Sequence, residues 1–301
     1  MANKRIHHQS IRDLSTHLGF GEPQHPLLGI FDVSQMSVSE EEVGNRLSSD
    51  MYCIALKDGS CGLDYGRNHY DFDEGVVLCT APQQMITLTH AYGKNELNGW
   101  LLYFHPDLIR NQPLGRKIEE YNFFSYEVYE ALHLSSQEQE IFLNCIRMIQ
   151  VEIGQRIDQH SQKVLVANIE LLLNYCTRFY ERQFNTRTAQ HSDVVSQVER
   201  LLRESFQSNQ LLEKGQPSVQ MIAEACNLSA GYLSDVLRRE TGRSAKEHIN
   251  DYIIDKAKNL LLGSDDSISG IAYHLGFNYP HYFGRLFKNK TGMTPQQYRA
   301  S

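Results

Sequence analysis

A chain of 301 residues is about twice the size of a common single domain, so two domains are expected and a small disulfide scaffold is excluded. With 22% charged and 41% hydrophobic residues, the composition is that of a folded globular protein and not of a disordered or collagen-like one. The net charge of −7 is uneven: residues 1–192 hold 16 Lys and Arg against 24 Asp and Glu, whereas residues 193–301 hold 13 against 12. A near-neutral half can still present a basic face, because binding depends on which charges share a surface.

The opening residues MANKRIHHQSIRDLS lack the apolar stretch of a signal peptide, and no later run approaches the roughly 18 apolar residues needed to cross a bilayer, which predicts a cytoplasmic protein with no membrane partner. The six cysteines, Cys53, Cys61, Cys79, Cys145, Cys176 and Cys226, include no CxxC pair and no Cys/His metal spacing, so reduced thiols are expected.

From about Ile30 to Phe104 short apolar runs alternate with turn signals: YCIAL, KDGSCG, EGVVLCT, APQQ, MITLT, AYGKNELNG and WLLYF. This spacing predicts an antiparallel sandwich or small barrel. From Ser135 the apolar period changes to three and four, through Ile141, Cys145, Met148 and Ile149, and after Ser161 through Leu165, Leu172 and Phe179. Two amphipathic helices in series are predicted behind the sheet. Their wide apolar stripes suggest a homodimer seam, with Leu165 or Leu172 close to it; packing against the sheet of the same chain is the competing expectation.

The polar segment Thr186–Asp193 shows no apolar period, and the domain boundary is placed there, giving domains 1–187 and 188–301. Ser192 or Asp193 is expected to cap the next helix, followed by helices starting at Ser218, Ser229, Ser244, Ser267, Asn278 and Thr294. Ser244 with Glu247, and Thr294 with Gln297, have capping-box spacing.

This half contains a repeat. SVQMIAEACNLSAGYLSDVLRRETG aligns with SISGIAYHLGFNYPHYFGRLFKNKTG, pairing Ile222 with Ile271 and Ala223 with Ala272. After one inserted residue it also pairs Tyr232 with Tyr282, Leu233 with Phe283, Leu237 with Phe287 and Thr241-Gly242 with Thr291-Gly292. Each copy reads helix, turn, helix, closing at a Gly suited to a left-handed C-terminal position. A helix-turn-helix crosses its first helix over the second so that the second can lie in a DNA major groove. The intervening helix, Ala245–Leu262, is about 27 Å long at 1.5 Å per residue, enough to hold two readers one DNA turn apart.

In the second copy Tyr282, Phe283, Leu286 and Phe287 are expected inside, leaving His281, Arg285, Lys288 and Asn289 outside. In the first, Leu233, Val236 and Leu237 are inner, and Tyr232, Ser234, Asp235, Arg238 and Arg239 lie on or near the outer arc. The expected base-reading residues are Ser234, Asp235, His281 and Arg285, the last because Arg pairs bidentately with guanine. Arg238, Arg239, Lys288, Lys290 and Asn278 are expected at the DNA backbone, the four cations because Lys and Arg neutralise phosphates in any sequence. Asp235 has three readings: accepting from cytosine, pairing with Arg238 or Arg239, or repelling phosphate.

The run from Ser218 to Arg299 resembles the DNA-binding domain of AraC/XylS-type bacterial transcription regulators, through I-A-x-x-x-x-L-S-x-x-Y-L-S-x-x-L-R-R-E-T-G, A-K-x-L-L, I-x-x-I-A-x-x-L-G-F and Y-F-x-R-x-F-K-x-x-T-G-x-T-P-x-x-Y-R. The resemblance implies an α+β protein whose two helix-turn-helix units control transcription and whose N-terminal cupin-like β-barrel senses a small molecule or mediates dimerisation. The partners expected are double-stranded DNA, a small-molecule effector, RNA polymerase and a second copy of the chain. Two positions depart from the family: Asp235 stands where an Arg often meets DNA, and Ile253 where Arg is usual in the connecting helix.

For the effector, Tyr70, Tyr92 and Trp100 are candidate lining residues, since barrel mouths with aromatic walls suit small apolar ligands. A metal-bearing cupin enzyme is the alternative, and a regulator controlled by another protein a further one. However, His69 with Asp71 and Glu74, even with His90 or His105 further on, lacks the tight pair of imidazoles that a metal cupin uses, so neither metal nor cofactor is expected. No nucleophile constellation or Gly-rich phosphate loop occurs, so no catalytic residue is assigned and no enzyme is expected.

Overall fold

The structure, a computed structural model, describes residues 4–57, 75–127, 130–186, 188–207, 211 and 215–300. Tyr70, with His69, Asp71 and Glu74, lies outside the described residues. The chain divides into two compact units, Met1–Thr186 and Arg187–Ser301.

The N-terminal unit is built on β1 (Arg5–His8), α1 (Ile11–His17), β2 (Leu28–Asp32), β3 (Arg46–Ser49), β4 (Tyr52–Lys57), β5 (Gly75–Thr80), β6 (Ile86–Thr87) and β7 (Gly99–Phe104). Short helices α2 (Pro106–Ile109) and α3 (Pro113–Lys117), strand β8 (Leu132–Leu134) and the long helices α4 (Ser136–Ile153) and α5 (Ser161–Thr186) follow. Five strands form an antiparallel sheet in the order β2-β7-β4-β5-β8, and β1-β3-β6 form a second, smaller one.

The register Leu28↔Phe104 and Ile54↔Leu102 puts these four buried side chains on one face, because strand side chains alternate. On that face Phe104 stacks on Tyr52 at 5.1 Å, and Tyr52 meets Phe124 at 5.0 Å. Phe123 stacks on Tyr180 of α5 at 5.6 Å, which continues the aromatic core into the helices. The opposite face, with Phe31, Leu101 and Tyr103, packs on Ile11 and Leu14 of α1.

Among the described strands the sheets are open and do not close into the expected barrel. The physical reason is visible at β8, whose outer edge is finished by helix side chains. The buried Gln183 amide accepts from His133 N at 2.8 Å and donates to Ala131 O at 3.0 Å. Arg182 donates to His133 O at 2.6 Å and pairs with Glu138 at 2.7 Å. An edge already satisfied by α5 has no call on another strand.

Leu165 and Leu172 are fully buried within this unit, so packing on the same chain wins over the seam expected for them. The apolar side chains that α4, α5 and their turn leave exposed are Met148, Val151, Ile157, Val164 and Leu171.

The second unit is helical in its described residues: α6 (Thr188–Gln207), α7 (Val219–Ala225), α8 (Ala230–Thr241), α9 (Ala245–Gly263), α10 (Ile268–His274), α11 (Pro280–Thr291) and α12 (Pro295–Arg299). The segment read as a polar linker with a cap at Ser192 or Asp193 is instead the first turns of α6. Ile222, Leu233, Leu237, Ile253, Ile271, Phe283 and Phe287 belong to one core, so both repeat copies pack around α9 as a single body. Ile253 is fully buried there, which accounts for an apolar residue at that position. No helix of the described residues is long and apolar enough to cross a membrane. The five described cysteines are free thiols, and burial pushes Cys53 up to about 12.

Candidate nucleic-acid interface

Each copy makes its turn with one residue in left-handed backbone: Asn227 at φ 55° between α7 and α8, and Gly276 at φ 78° between α10 and α11. In both turns the amide after that residue reaches back to the first helix, Leu228 N to Ala223 O at 2.9 Å and Phe277 N to Ala272 O at 3.0 Å. Asn tolerates this conformation; Gly is required at 276 for a further reason. A Cβ there would stand 3.0 Å from Gln216 N, because the lead-in to the first copy packs on the turn of the second. The second helices end alike, at Gly242 (φ 76°) and Gly292 (φ 79°). The likeness continues beyond them, since the capping boxes Ser244/Glu247 of α9 and Thr294/Gln297 of α12 are also 50 residues apart.

With Leu233 and Leu237 inward on α8, and Phe283 and Phe287 inward on α11, the 100° step of an α-helix fixes the opposite arcs. On α11 that arc carries His281, Arg285 and Lys288, all exposed, with Tyr282 and Asn289 at its flanks. On α8 the same arc carries Gly231, Asp235 and Arg238, flanked by Tyr232, Ser234 and Arg239. Arg238 and Arg239 are exposed, and Ser234 and Asp235 are half-buried. Asp235 Oδ1 pairs with Arg238 at 3.1 Å, which realises one of the three readings of this carboxylate.

Two expectations about individual residues are corrected, those for Tyr282 and Asn278, and a pairing is found for Lys290. Tyr282 is not core: its side chain is 47% exposed, whereas its repeat partner Tyr232 is 5% exposed. The reason is α6, which precedes only the first copy; there the Tyr232 hydroxyl lies 3.4 Å from His191 Nε2, and the two rings meet at 6.2 Å. Lys290 does not lie on the outer arc. It is exposed and lies seven residues, or two turns, from buried Phe283, on the α9 side of the helix, where it pairs with Asp251 at 2.8 Å. The other oxygen of Asp251 takes Arg243 at 3.1 Å. Asn278 does not start α11: the N-cap is Tyr279, without a side-chain cap bond, and Pro280 opens the helix. Asn278 is the inserted residue and stands exposed in the turn. In the first copy Ser229 accepts from Tyr232 N at 3.1 Å in the ordinary way.

The second reader therefore opens with an aromatic group at the surface. Tyr279 is 60% exposed, and its ring lies 6.0 Å from Tyr282 and 5.8 Å from His281. His281 and Tyr282 are 4.3 Å apart, and the Arg285 guanidinium sits over the Tyr282 ring at 5.2 Å.

In the N-terminal unit Tyr92 and Trp100 lie on opposite sides of the sheet. Tyr92 packs with Val33, Met36, Leu97 and Leu101, while Trp100, one residue before Leu101 on β7, projects to the other face. A cleft of about 330 Å³ lies elsewhere, along β2, lined by Phe20, Glu22, Gln24, Ile30, Gln150 and Ile153 among others. Among the described residues no three His, Cys, Asp or Glu side chains converge as metal ligands.

The family described as a helix-turn-helix domain matches residues 222–301, which takes in most of the first copy, α9 and all of the second. The chain carries an AraC-type helix-turn-helix domain. An uncharacterized HTH-type transcriptional regulator, YijO of Escherichia coli K12, is 24% identical over 192 residues, 64% of this chain and 64% of that protein. The HTH-type transcriptional activator RhaR of Yersinia pseudotuberculosis is 39% identical over 67 residues, 22% of this chain and 23% of that one. Similarity thus spans less than two thirds of either relative. Among solved structures, a transcriptional regulator of Chromobacterium violaceum described as AraC-type is 20% identical, with a TM-score of 0.33, covering 37% of this chain and 94% of that one. The AraC-type domain is the part of the chain in which the two readers and their polar arcs lie.

Proposed function

We propose that the protein is a sequence-specific transcription regulator that binds double-stranded DNA through α8 and α11, placed in two successive major grooves. The observation that carries this reading is the doubled helix-turn-helix with Arg285 and Lys288 exposed on the second outward arc. Arg285 supplies the planar fork that pairs with guanine, and His281 and Ser234 are the polar neighbours placed to contact bases. Lys288, Arg238 and Arg239 lie where phosphates flank the groove, with Asn278 beside them in the turn. Lys290 contributes less, since Asp251 already neutralises it.

The remainder of the regulator reading is assigned to the N-terminal unit. It receives a small-molecule effector, for which the β2 cleft is a candidate site, and it pairs two copies through the exposed apolar side chains of α4 and α5. RNA polymerase is the further partner of such a regulator. An effector alters DNA affinity only through its unequal binding to the two arrangements, so the factor it imposes must reappear in its own affinity when DNA is added.

Selection of bound duplexes from a randomised pool by the full-length protein tests the DNA reading. The expected result is one enriched site with two blocks about one helical turn, roughly 10–10.5 base pairs, apart. Recovery of unenriched sequence at every salt concentration would remove the proposal.

A further inference from the structure

We propose that Tyr282, with Tyr279 beside it, reads the 5-methyl group of a thymine next to the guanine taken by Arg285. The inference rests on the DNA-binding reading above and adds a specificity determinant to it.

Three observations converge. First, Tyr282 is an apolar ring left at the surface of a reader helix whose repeat partner, Tyr232, is buried; the difference lies in what surrounds the ring and not in the ring itself. Second, the ring is engaged with the neighbouring cation. Arg285 lies over it at 5.2 Å, a cation–π contact that holds the guanidinium plane and reduces the side-chain freedom lost when it pairs with a base. Third, the helix start forgoes a side-chain cap. Where the first copy has Ser229 bonded to a backbone amide, the second has Tyr279 with no such bond, its ring extending the aromatic surface beside Tyr282. A missing side-chain cap weakens a helix start, so an exposed aromatic at that place is a local stability cost that a contact role offsets.

In the major groove thymine alone among the four bases offers a methyl group, and apolar side chains recognise it by contact. Tyr282 flanks Arg285 on the helix surface, so a ring edge meeting a methyl group and a guanidinium meeting guanine would fall on neighbouring base pairs. Gly231 and the buried Tyr232 give the first reader no such apolar surface, and the preference belongs to the second half-site alone.

The test uses the full-length protein and the duplex enriched by it. Each thymine of the site is replaced in turn by deoxyuridine, which removes only the methyl group, and binding is measured for the wild type, Tyr282→Ala and Tyr282→Phe. The expected result is one position in one half-site where deoxyuridine weakens the wild type by about fourfold, the value of burying one methyl group. Tyr282→Phe should keep that discrimination, and Tyr282→Ala should lose it. Equal binding to thymine and deoxyuridine at every position, or a methyl effect that persists in Tyr282→Ala, overturns the inference and leaves the DNA reading intact. Failure to enrich any site removes both.

Discussion

The outward arc of α8 presents Gly231, Asp235 and Arg238, while the same arc of α11 presents His281, Arg285 and Lys288. The backbone plan is shared down to the left-handed turn residue and the closing glycine, and the inner faces match position for position. What differs is charge and environment: the first reader spends one cation on its own carboxylate and lies under α6, whereas the second exposes an aromatic group and two cations. A duplicated core does not oblige the two surfaces to do equal work. On the DNA-binding reading the second copy is expected to dominate base choice and the first to contribute mainly backbone contact.

The widest separation between the copies should come from the paired tyrosines. Tyr232→Ala removes a buried ring and its contact with His191, and is expected to cost about 3–5 kcal/mol of stability, as large aromatic truncations do. Tyr282→Ala, at the surface, should stay within about 0.5 kcal/mol of the wild type. Thermal or denaturant melts of the two variants measure this directly, and equal losses would contradict the different burial of the two rings.

Next in size is the reader arginine. Arg285→Ala should lose about 1–3 kcal/mol on the selected site and much less on random DNA, with relaxed preference at one base pair. Asp235→Ala, at the matching position, should lose no specific affinity. Titrations against both DNAs separate these outcomes, and a uniform loss for Arg285→Ala would make it a phosphate contact.

A smaller effect is expected from the carboxylates. Asp251→Asn releases Lys290 and Arg243 from a half-exposed pair, so folding stability should change by no more than about 1 kcal/mol. Binding to random DNA should nevertheless tighten, with the slope of log affinity against log salt steepening by about one unit per cation gained. An unchanged slope would mean that neither cation reaches a phosphate.

The smallest effect concerns pH. His248 of α9, 2.7 Å from the Thr241 hydroxyl, has its pKa lowered from the ordinary 6.5, chiefly by burial and then by the charge of Arg243. A histidine depressed in the folded state takes up its proton first in the unfolded chain, so the stability it contributes is intact above 6.5 and declines as pH falls toward the folded value. Melts at about pH 7.5 and 5.5 should show this decline, and His248→Gln should flatten it.

Much of the second unit was legible because its information is periodic. Ile222 with Ile271, and Leu237 with Phe287, announce a duplicated packing plan without reference to anything outside the two segments. Tyr282 was misread because its burial depends on a helix that precedes only the first copy, a tertiary fact that alignment of the copies hides. Lys290 is a surface cation, but its partner Asp251 lies on another helix, and a pairing between elements leaves no periodic mark in the sequence. In the N-terminal unit the central strands β4, β5 and β7 stood out as apolar runs. The strand RIHH of β1 and the three-residue β8 did not, because polar or very short strands owe their existence to their partners. The segment Thr186–Asp193 has no apolar stripe and reads as a linker, yet from Thr188 it is helix, with His191 packed on Tyr232.

The close approach of Gln216 to Gly276 bears on how such proteins can be recombined. Gln216 also donates to Leu275 O at 3.3 Å, so the stretch entering the first copy is fitted to the turn of the second. A chimera that exchanged the second reader at the end of α9 would import a turn shaped for a foreign lead-in, and any donor with a side chain at that turn would collide with residues 215–216. The transferable cassette is the pair of copies together with the residues that introduce them, and on the DNA-binding reading a new site preference would come from substitutions on the two arcs.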